Sequence, residues 1–332
     1  MAKKEQQPCC EKFKTMIGGQ ALIEGIMMRG PEKDAVVVRT KEGLKVDVKP
    51  RKVRPKNSPL NLPLIRGVCN FFDAQVVGVK ALMQSADLSP EETEEPSKLD
   101  LWLEKKLGNE KFQKLLIGFA VAMGLAMSIA LFFLLPMLVS SLFDRWIPNT
   151  LLLHLLEGLV RMVIFMAYML LVSRMQEMKR VFAYHGAEHK TIRCYEAQLP
   201  LTVENVRQQT RMHPRCGTSF LLVVMVLSIL VFSVASSLLL AVAPGLEAMR
   251  GTFLYRLIMI VFKLLLLPTV VAFSYEINRW VGRHNNAFTR ALTAPGMWLQ
   301  NFTTNEPDDS MIEVGIAALQ AVIPEEEGAD RW

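Results

Sequence analysis

The sequence predicts an α-helical polytopic membrane protein with four transmembrane helices, a small N-terminal β-meander and cytoplasmic helices. Three observations carry this. Of 332 residues, 51% are hydrophobic, a high share for a soluble chain. They are concentrated: the first hundred residues are polar, and long apolar runs begin after residue 114. Four of these runs reach the roughly 20 residues that a helix needs to cross a bilayer. Two of the four, 115–143 and 220–243, carry no charge at all, which separates them from the core helices of a soluble protein.

The elements follow in chain order. Residues 1–15, "MAKKEQQPCCEKFKT", are charged but lead into no apolar core, so no secretory signal is expected. Within 16–49, "AVVVRT" is β-branched, "LKVDVK" alternates apolar with polar, and "GPEKD" and "KEG" supply turns, which predicts the meander. Over 65–86, Ile65, Val68, Phe72, Val76, Val79 and Met83 recur at helical spacing. This amphipathic helix either lies in the membrane interface or packs on the protein. "DLSPEETEEPSKLD" reads as an acidic, proline-bearing linker. The spans come next, at 115–143, 151–173, 220–243 and 253–275. The second helix is expected to continue to about residue 197, because the stretch after Ser173 has no proline and many helix formers; Gly186 is its weak point. Near the end, "DDSMIEVGIAALQAVI" predicts a helix opened by a Ser310–Glu313 capping box. Its face of Ile312, Ile316, Leu319 and Ile323 is suited to docking.

The expected domains are therefore a tail and meander (1–60), an amphipathic helix and acidic linker (61–114), a four-span membrane domain containing the loop 174–219 (115–275), and a C-terminal segment with a docking helix (276–332). Basic residues orient the spans. Arg174, Lys179, Arg180, Lys190, Arg193, Arg207, Arg211 and Arg215 lie between the second and third, and Arg279, Arg283 and Arg290 follow the fourth. The short loops "DRWIPNT" and "PGLEAMRGT" carry one each. Basic loops stay cytoplasmic, so both termini and the 174–219 loop are expected inside. Cys9, Cys10, Cys69, Cys194 and Cys216 then lie on the reducing side, where disulfides are not expected. These loops also account for the net charge of +6, which calls for no nucleic acid. The phosphate-loop, dinucleotide and nucleophile-elbow fingerprints are absent.

One stretch carries chemistry. In "FAYHGAEHKTIRCYE" (182–196), two of the chain's five histidines stand four residues apart, on one helical face, in the order H-x-x-E-H. Zinc takes imidazole, thiolate and carboxylate ligands, and a catalytic site uses three of them with one open position. His185 and His189 supply two. His213 in "RMHPRCGTS" is the first choice for the third, with Cys216, Glu276 and His284 as alternatives at the same membrane face. Glu188 is then the general base. The competing reading is that these histidines only make hydrogen bonds. Tyr184, Lys190, Arg193 and Arg215 suit an anionic group or lipid headgroups, or simply the cytoplasmic charge bias. Within the spans, His154, Glu157, Arg161, Arg256 and Lys263 predict an intramembrane polar cluster. It is either a salt-bridged joint between the second and fourth spans or a polar path for a substrate or ion.

Six blocks in order, "GGQALIEGIMMRGP", "IRGVCNFFDAQVVGVKALM", "YHGAEHKTI", "HPRCGTSF", "RWVGRHNN" and "APGMWLQNFTTNEPDD", resemble the YqhQ-like family of bacterial membrane proteins over nearly the whole chain. The resemblance implies a metal-dependent enzyme in the inner membrane and brings no substrate with it. The expected function is a membrane-embedded metal-dependent hydrolase at the cytoplasmic interface, with zinc as cofactor. Its partners would be membrane lipid and a membrane-protein or peptide substrate. A non-enzymatic scaffold or assembly factor is one alternative. A transporter or lipid-binding protein using the charged second and fourth spans is the other.

Overall fold

The sheet follows from the alternation in its strands. β1 (Gly18–Leu22), β2 (Gly25–Arg29), β3 (Lys33–Thr40) and β4 (Gly43–Pro50) pair antiparallel in chain order, so β1 and β4 are the edges. Successive side chains point to opposite faces. Leu22, Met27 and Val36 fall on one face, and Ala21, Ile26, Met28, Ala35 and Val37 on the other. The computed structural model describes residues 13–51, 53–55, 57–89, 109–284, 286–326 and 328–331. Cys9, Cys10 and most of the acidic linker lie outside these.

α1 (Ile65–Leu88) packs on the first face through its small residues. Gly78 sits against the Gln20 side chain, Ala81 joins the Leu22–Met27 cluster, and the Ile23 N–H donates to the Ser85 hydroxyl at 3.3 Å. The apolar stripe that marks α1 in the sequence points the other way. Ile65, Phe72, Val76, Val79 and Met83 are 40 to 58% exposed. The helix therefore packs on the protein and leaves its hydrophobic face open.

The remaining elements are helical. α2 (Asn109–Ile129) loosens into a π-helical stretch (Ala130–Leu134) and resumes as α3 (Leu135–Ser141). Then come α4 (Thr150–Val172), α5 (Gln176–Glu196), α6 (Val203–Arg207), α7 (Gly217–Val242), α8 (Pro244–Ala248), α9 (Phe253–Arg283), α10 (Ala287–Thr303) and α11 (Asp309–Gln320). Four stretches, Gly118–Ser141, Thr150–Val172, Phe220–Val242 and Phe253–Arg283, are long and apolar enough to cross a membrane. The chain divides into two units: Met1–Pro90, Met169–Leu227 and Pro268–Trp332 form the first, and Glu91–Tyr168 and Ser228–Leu267 the second.

In the first unit, α5 and α11 cover the second face of the sheet. Tyr184, Ala187, Ile192, Met311, Val314, Ala318 and Leu319 form one core with Ile26, Met28 and Val37. Three expectations need correction here. The second helix does not run on to residue 197: α4 ends at Val172, and Met175 is extended (ψ 138°) before α5 begins. No proline is needed for this break, because α5 takes its direction from burial against the sheet and α11. Gly186 is not a weak point either. The Asn305 carbonyl lies where a Cβ would stand, so glycine's helical cost of about 1 kcal/mol is offset by close approach of the backbone. The cap of α11 also differs from the expected box. Asp308 accepts from the Met311 N–H at 2.9 Å, while Glu313 reaches across to Arg39 at 2.7 Å.

The second unit holds the cluster of charged residues in the long apolar helices. Both oxygens of Glu157 accept from Lys263 at 2.6 Å, and one accepts from Arg161 at 2.8 Å; His154 Nδ1 stands 3.5 Å away. Arg161 also donates Nε–H to the Phe132 carbonyl at 2.7 Å. Phe132 lies in the π-helical stretch, where the wider turn disturbs the α ladder and leaves a carbonyl for the guanidinium. The Phe133 and Phe232 rings flank that guanidinium at 5.2 and 5.4 Å. Arg256 stands apart from these ion pairs, on the wall of a small cavity that His154 and Glu157 also line.

Candidate metal centre

α5 brings His185, Glu188 and His189 to one face, and the turn ahead of α7 brings Cys216 to meet them. Gln300 on α10 fixes that turn: it accepts from the His213 N–H and donates to the His213 carbonyl, each at 2.8 Å. His185 Nε2 lies 3.2 Å from Cys216 Sγ. One donor atom each from His185, His189 and Cys216 lies within 4.8 Å of the others. Bonds of about 2.0–2.3 Å to a tetrahedral zinc ion require ligand separations of about 3.3–3.6 Å, so small side-chain adjustments close the set.

The far sides of the rings settle their tautomers. His185 Nδ1 lies 2.8 Å from the Thr303 carbonyl, and His189 Nδ1 lies 2.6 Å from the Arg211 carbonyl. A carbonyl only accepts, so each Nδ1 carries a proton, and the neutral form of each ring keeps its lone pair on Nε2. This is the outer-shell arrangement that orients metal-binding imidazoles. His189 Nε2 and Glu188 Oε2 are both buried with no hydrogen-bond partner. An unsatisfied buried polar atom costs about 1–3 kcal/mol, so two on adjacent residues need a reason, and a cation supplies one. The residues present therefore fit a zinc ion.

Without a cation, the charges arrange themselves differently. Burial raises the Cys216 thiol, but His189 and His185 outweigh it and hold the thiol well below its ordinary value. Burial also opposes protonation of His185, yet the charge and hydrogen bond of Cys216 lift it to about 9. A bound cation would take the place of the proton shared between them. Burial pushes the Glu188 carboxyl up, against the pull of the two histidines. A divalent charge beside it favours the carboxylate that a base requires.

Gly19 makes room for Glu188. A Cβ there would come within 2.9 Å of Glu188 Cδ. Residues 15–21, the α5 face and the turn 213–218 enclose a cavity of about 390 Å³.

The other candidate residues lie elsewhere. His213 is buried beside the cluster, its ring 5.6 Å from that of His189, but its Nε2 is on Glu196 at 3.2 Å. Burial, then Arg215 and His189, hold it well below its usual value. Glu196 also takes Arg215 and the Thr15 N–H, so His213 belongs to a hydrogen-bonded network in the cavity wall. Glu276 pairs with Arg66, and His284 Nδ1 is 2.8 Å from the Trp280 carbonyl. The suggested anion-binding groups are engaged internally: Tyr184 with Glu24, Lys190 with Glu306 and the Arg207 carbonyl, and Arg193 with the Met212 carbonyl. Sequence reasoning passed over Gly19, Gln300, Thr303 and Arg211. For the last two, the working atom is a backbone carbonyl, which no residue type signals.

The family described as "Protein of unknown function (DUF1385)" matches residues 62–325. "Uncharacterized protein YqhQ" of Bacillus subtilis (strain 168) is 31% identical over 312 residues, covering 92% of each chain. No solved structure matches. The histidine pair, the Cys216 turn and most of the cavity wall fall inside the matched region, and the chain belongs to the DUF1385 family of YqhQ-like proteins.

Proposed function

We propose that the protein is a zinc-dependent hydrolase at the cytoplasmic face of the bacterial inner membrane, with His185, His189 and Cys216 as ligands and Glu188 as general base. The observation that carries this reading is the pair of Nδ1–carbonyl contacts, which turn both Nε2 lone pairs toward the Cys216 thiol. Cys216 replaces His213 as third ligand because the His213 ring is committed to Glu196. A bound zinc ion polarises a substrate carbonyl or phosphoryl oxygen and acidifies water. Glu188, beside the ligands and packed against Gly19, takes the proton from that water and returns it to the leaving group. Protein stripped with dipicolinate is expected to be inactive on a panel of chromogenic amides, esters and phosphodiesters, and one equivalent of zinc is expected to restore activity. Activity that survives complete removal of metal would refute the proposal.

The location rests on the loop charges and on the position of the centre. Cys216 precedes the apolar run that begins at Phe220, and α1 is pinned by Arg66–Glu276 and Asn70–Tyr275 just where the apolar run of α9 ends. The open stripe of α1 then meets the interfacial layer of the bilayer. A cysteine introduced at Asn149 is expected to react with a membrane-impermeant maleimide in intact cells. One introduced at Glu204 is expected to stay unlabelled, and its labelling would reverse the orientation.

A further inference from the structure

The cavity at the centre is built along the free edge of a strand. β1 is a terminal strand of the sheet, and among the described residues, 330–331 pair with Thr15 and Met16 just ahead of it. Gly18 to Ala21 all line the cavity. Neighbouring strand residues face opposite ways, so a cavity touching Gly19, Gln20 and Ala21 follows the edge rather than either face. Leu22 and Gly25 flank a two-residue turn and form a hydrogen-bonded pair, so two steps apart Gln20 and Gly18 also face β2, and the Gly19 N–H between them points away from it. By the alternation of an antiparallel ladder, the N–H of Ala21 and the carbonyls of Gly19 and Ala21 point the same way. Gly18 has open space at its Cβ position. The rest of the wall is largely apolar, from Met16, Ile17, Val181, Phe182 and Ile192. Among the described residues of the wall the one Arg or Lys side chain is Arg215, and it is held by Glu196.

We propose that the substrate is an extended polypeptide segment that adds as a further strand to the edge of β1, which presents one of its carbonyls to the zinc centre. The inference rests on the zinc-hydrolase reading. Strand addition fixes a peptide by its main chain and leaves alternate side chains to the walls. Water adds its oxygen to the presented carbonyl carbon and the C–N bond breaks. Glu188 carries the proton from the water to the departing nitrogen, giving a carboxylate and an amine.

The test uses full-length, zinc-loaded protein in nanodiscs and a series of alanine-based heptapeptides ending in a hydroxamate, with one backbone N-methyl group moved along the chain. Binding is expected to fall about tenfold for N-methylation at alternate positions and to be unchanged at the positions between, because each lost hydrogen bond acts only where the strand faces β1. Ala21→Pro, which removes an outward N–H at a sheet edge that tolerates proline, is expected to weaken the unmethylated peptide at unchanged zinc content. If Ala21→Pro disturbs folding, the methylation series on the unaltered protein still decides. Hydroxamates that bind with no alternation, or fail to bind zinc-loaded protein, overturn strand addition and leave the metal reading standing. Protein that takes up no zinc overturns both.

Discussion

Glu188→Gln is expected to keep its full complement of zinc and to lose about 10²–10⁴-fold in hydrolytic rate, the usual contribution of a positioned general base. The carboxylate is not among the three grouped ligands, and its Oε2 is buried without a partner, so the substitution removes a proton acceptor and no metal bond. The amide preserves shape against Gly19, where a larger change would collide with the strand. Metal analysis and turnover on the same preparation separate the possibilities. Zinc that disappears together with activity would make Glu188 a ligand and refute its role as base.

The second large effect lies in the other unit. Glu157 is the one carboxylate between Lys263 and Arg161, and all three are nearly inaccessible. Glu157→Gln leaves two buried cations without their counter-ion, which costs about 3–5 kcal/mol. Thermal unfolding in detergent should fall by about 6–20 °C for a chain of this class. Glu157→Leu combined with Lys263→Leu should recover part of that loss, because an apolar pair needs no partner. An unchanged unfolding temperature for Glu157→Gln would mean that water reaches the cluster and that the ion pairs do not hold these helices together.

What the sequence disclosed and what it withheld have physical causes. The four long apolar helices and the meander rest on composition and period, which a single chain displays directly; three of the spans agree with the expected runs to within a few residues, while the fourth helix runs on past the expected 275 to Arg283. The histidine pair also shares one helix, because a spacing of four is local. The third member of the cluster was legible only as a choice, with Cys216 among the alternatives to His213. His213 and Cys216 stand three residues apart on one turn, and the choice between them depends on Glu196 and Gln300, which reach that turn from other helices. The break at Met175 was invisible because burial against the sheet, not a local breaker, sets the direction of α5. For α1, the stripe Ile65–Met83 announced a helix but not its buried side. The sheet is met by Gly78, Ala81 and Ser85, whose small size permits the contact and gives no hydrophobic signal.

The central claim is that the two helix histidines and Cys216 hold one metal ion, and elemental analysis of purified protein tests it most directly. The account predicts about one zinc per chain in the unaltered protein and none in the His185→Ala, His189→Ala double variant. Cys216→Ser should hold zinc weakly and His213→Ala should hold it fully. An unaltered protein free of bound metal, or stoichiometric zinc retained by the double variant, would contradict it.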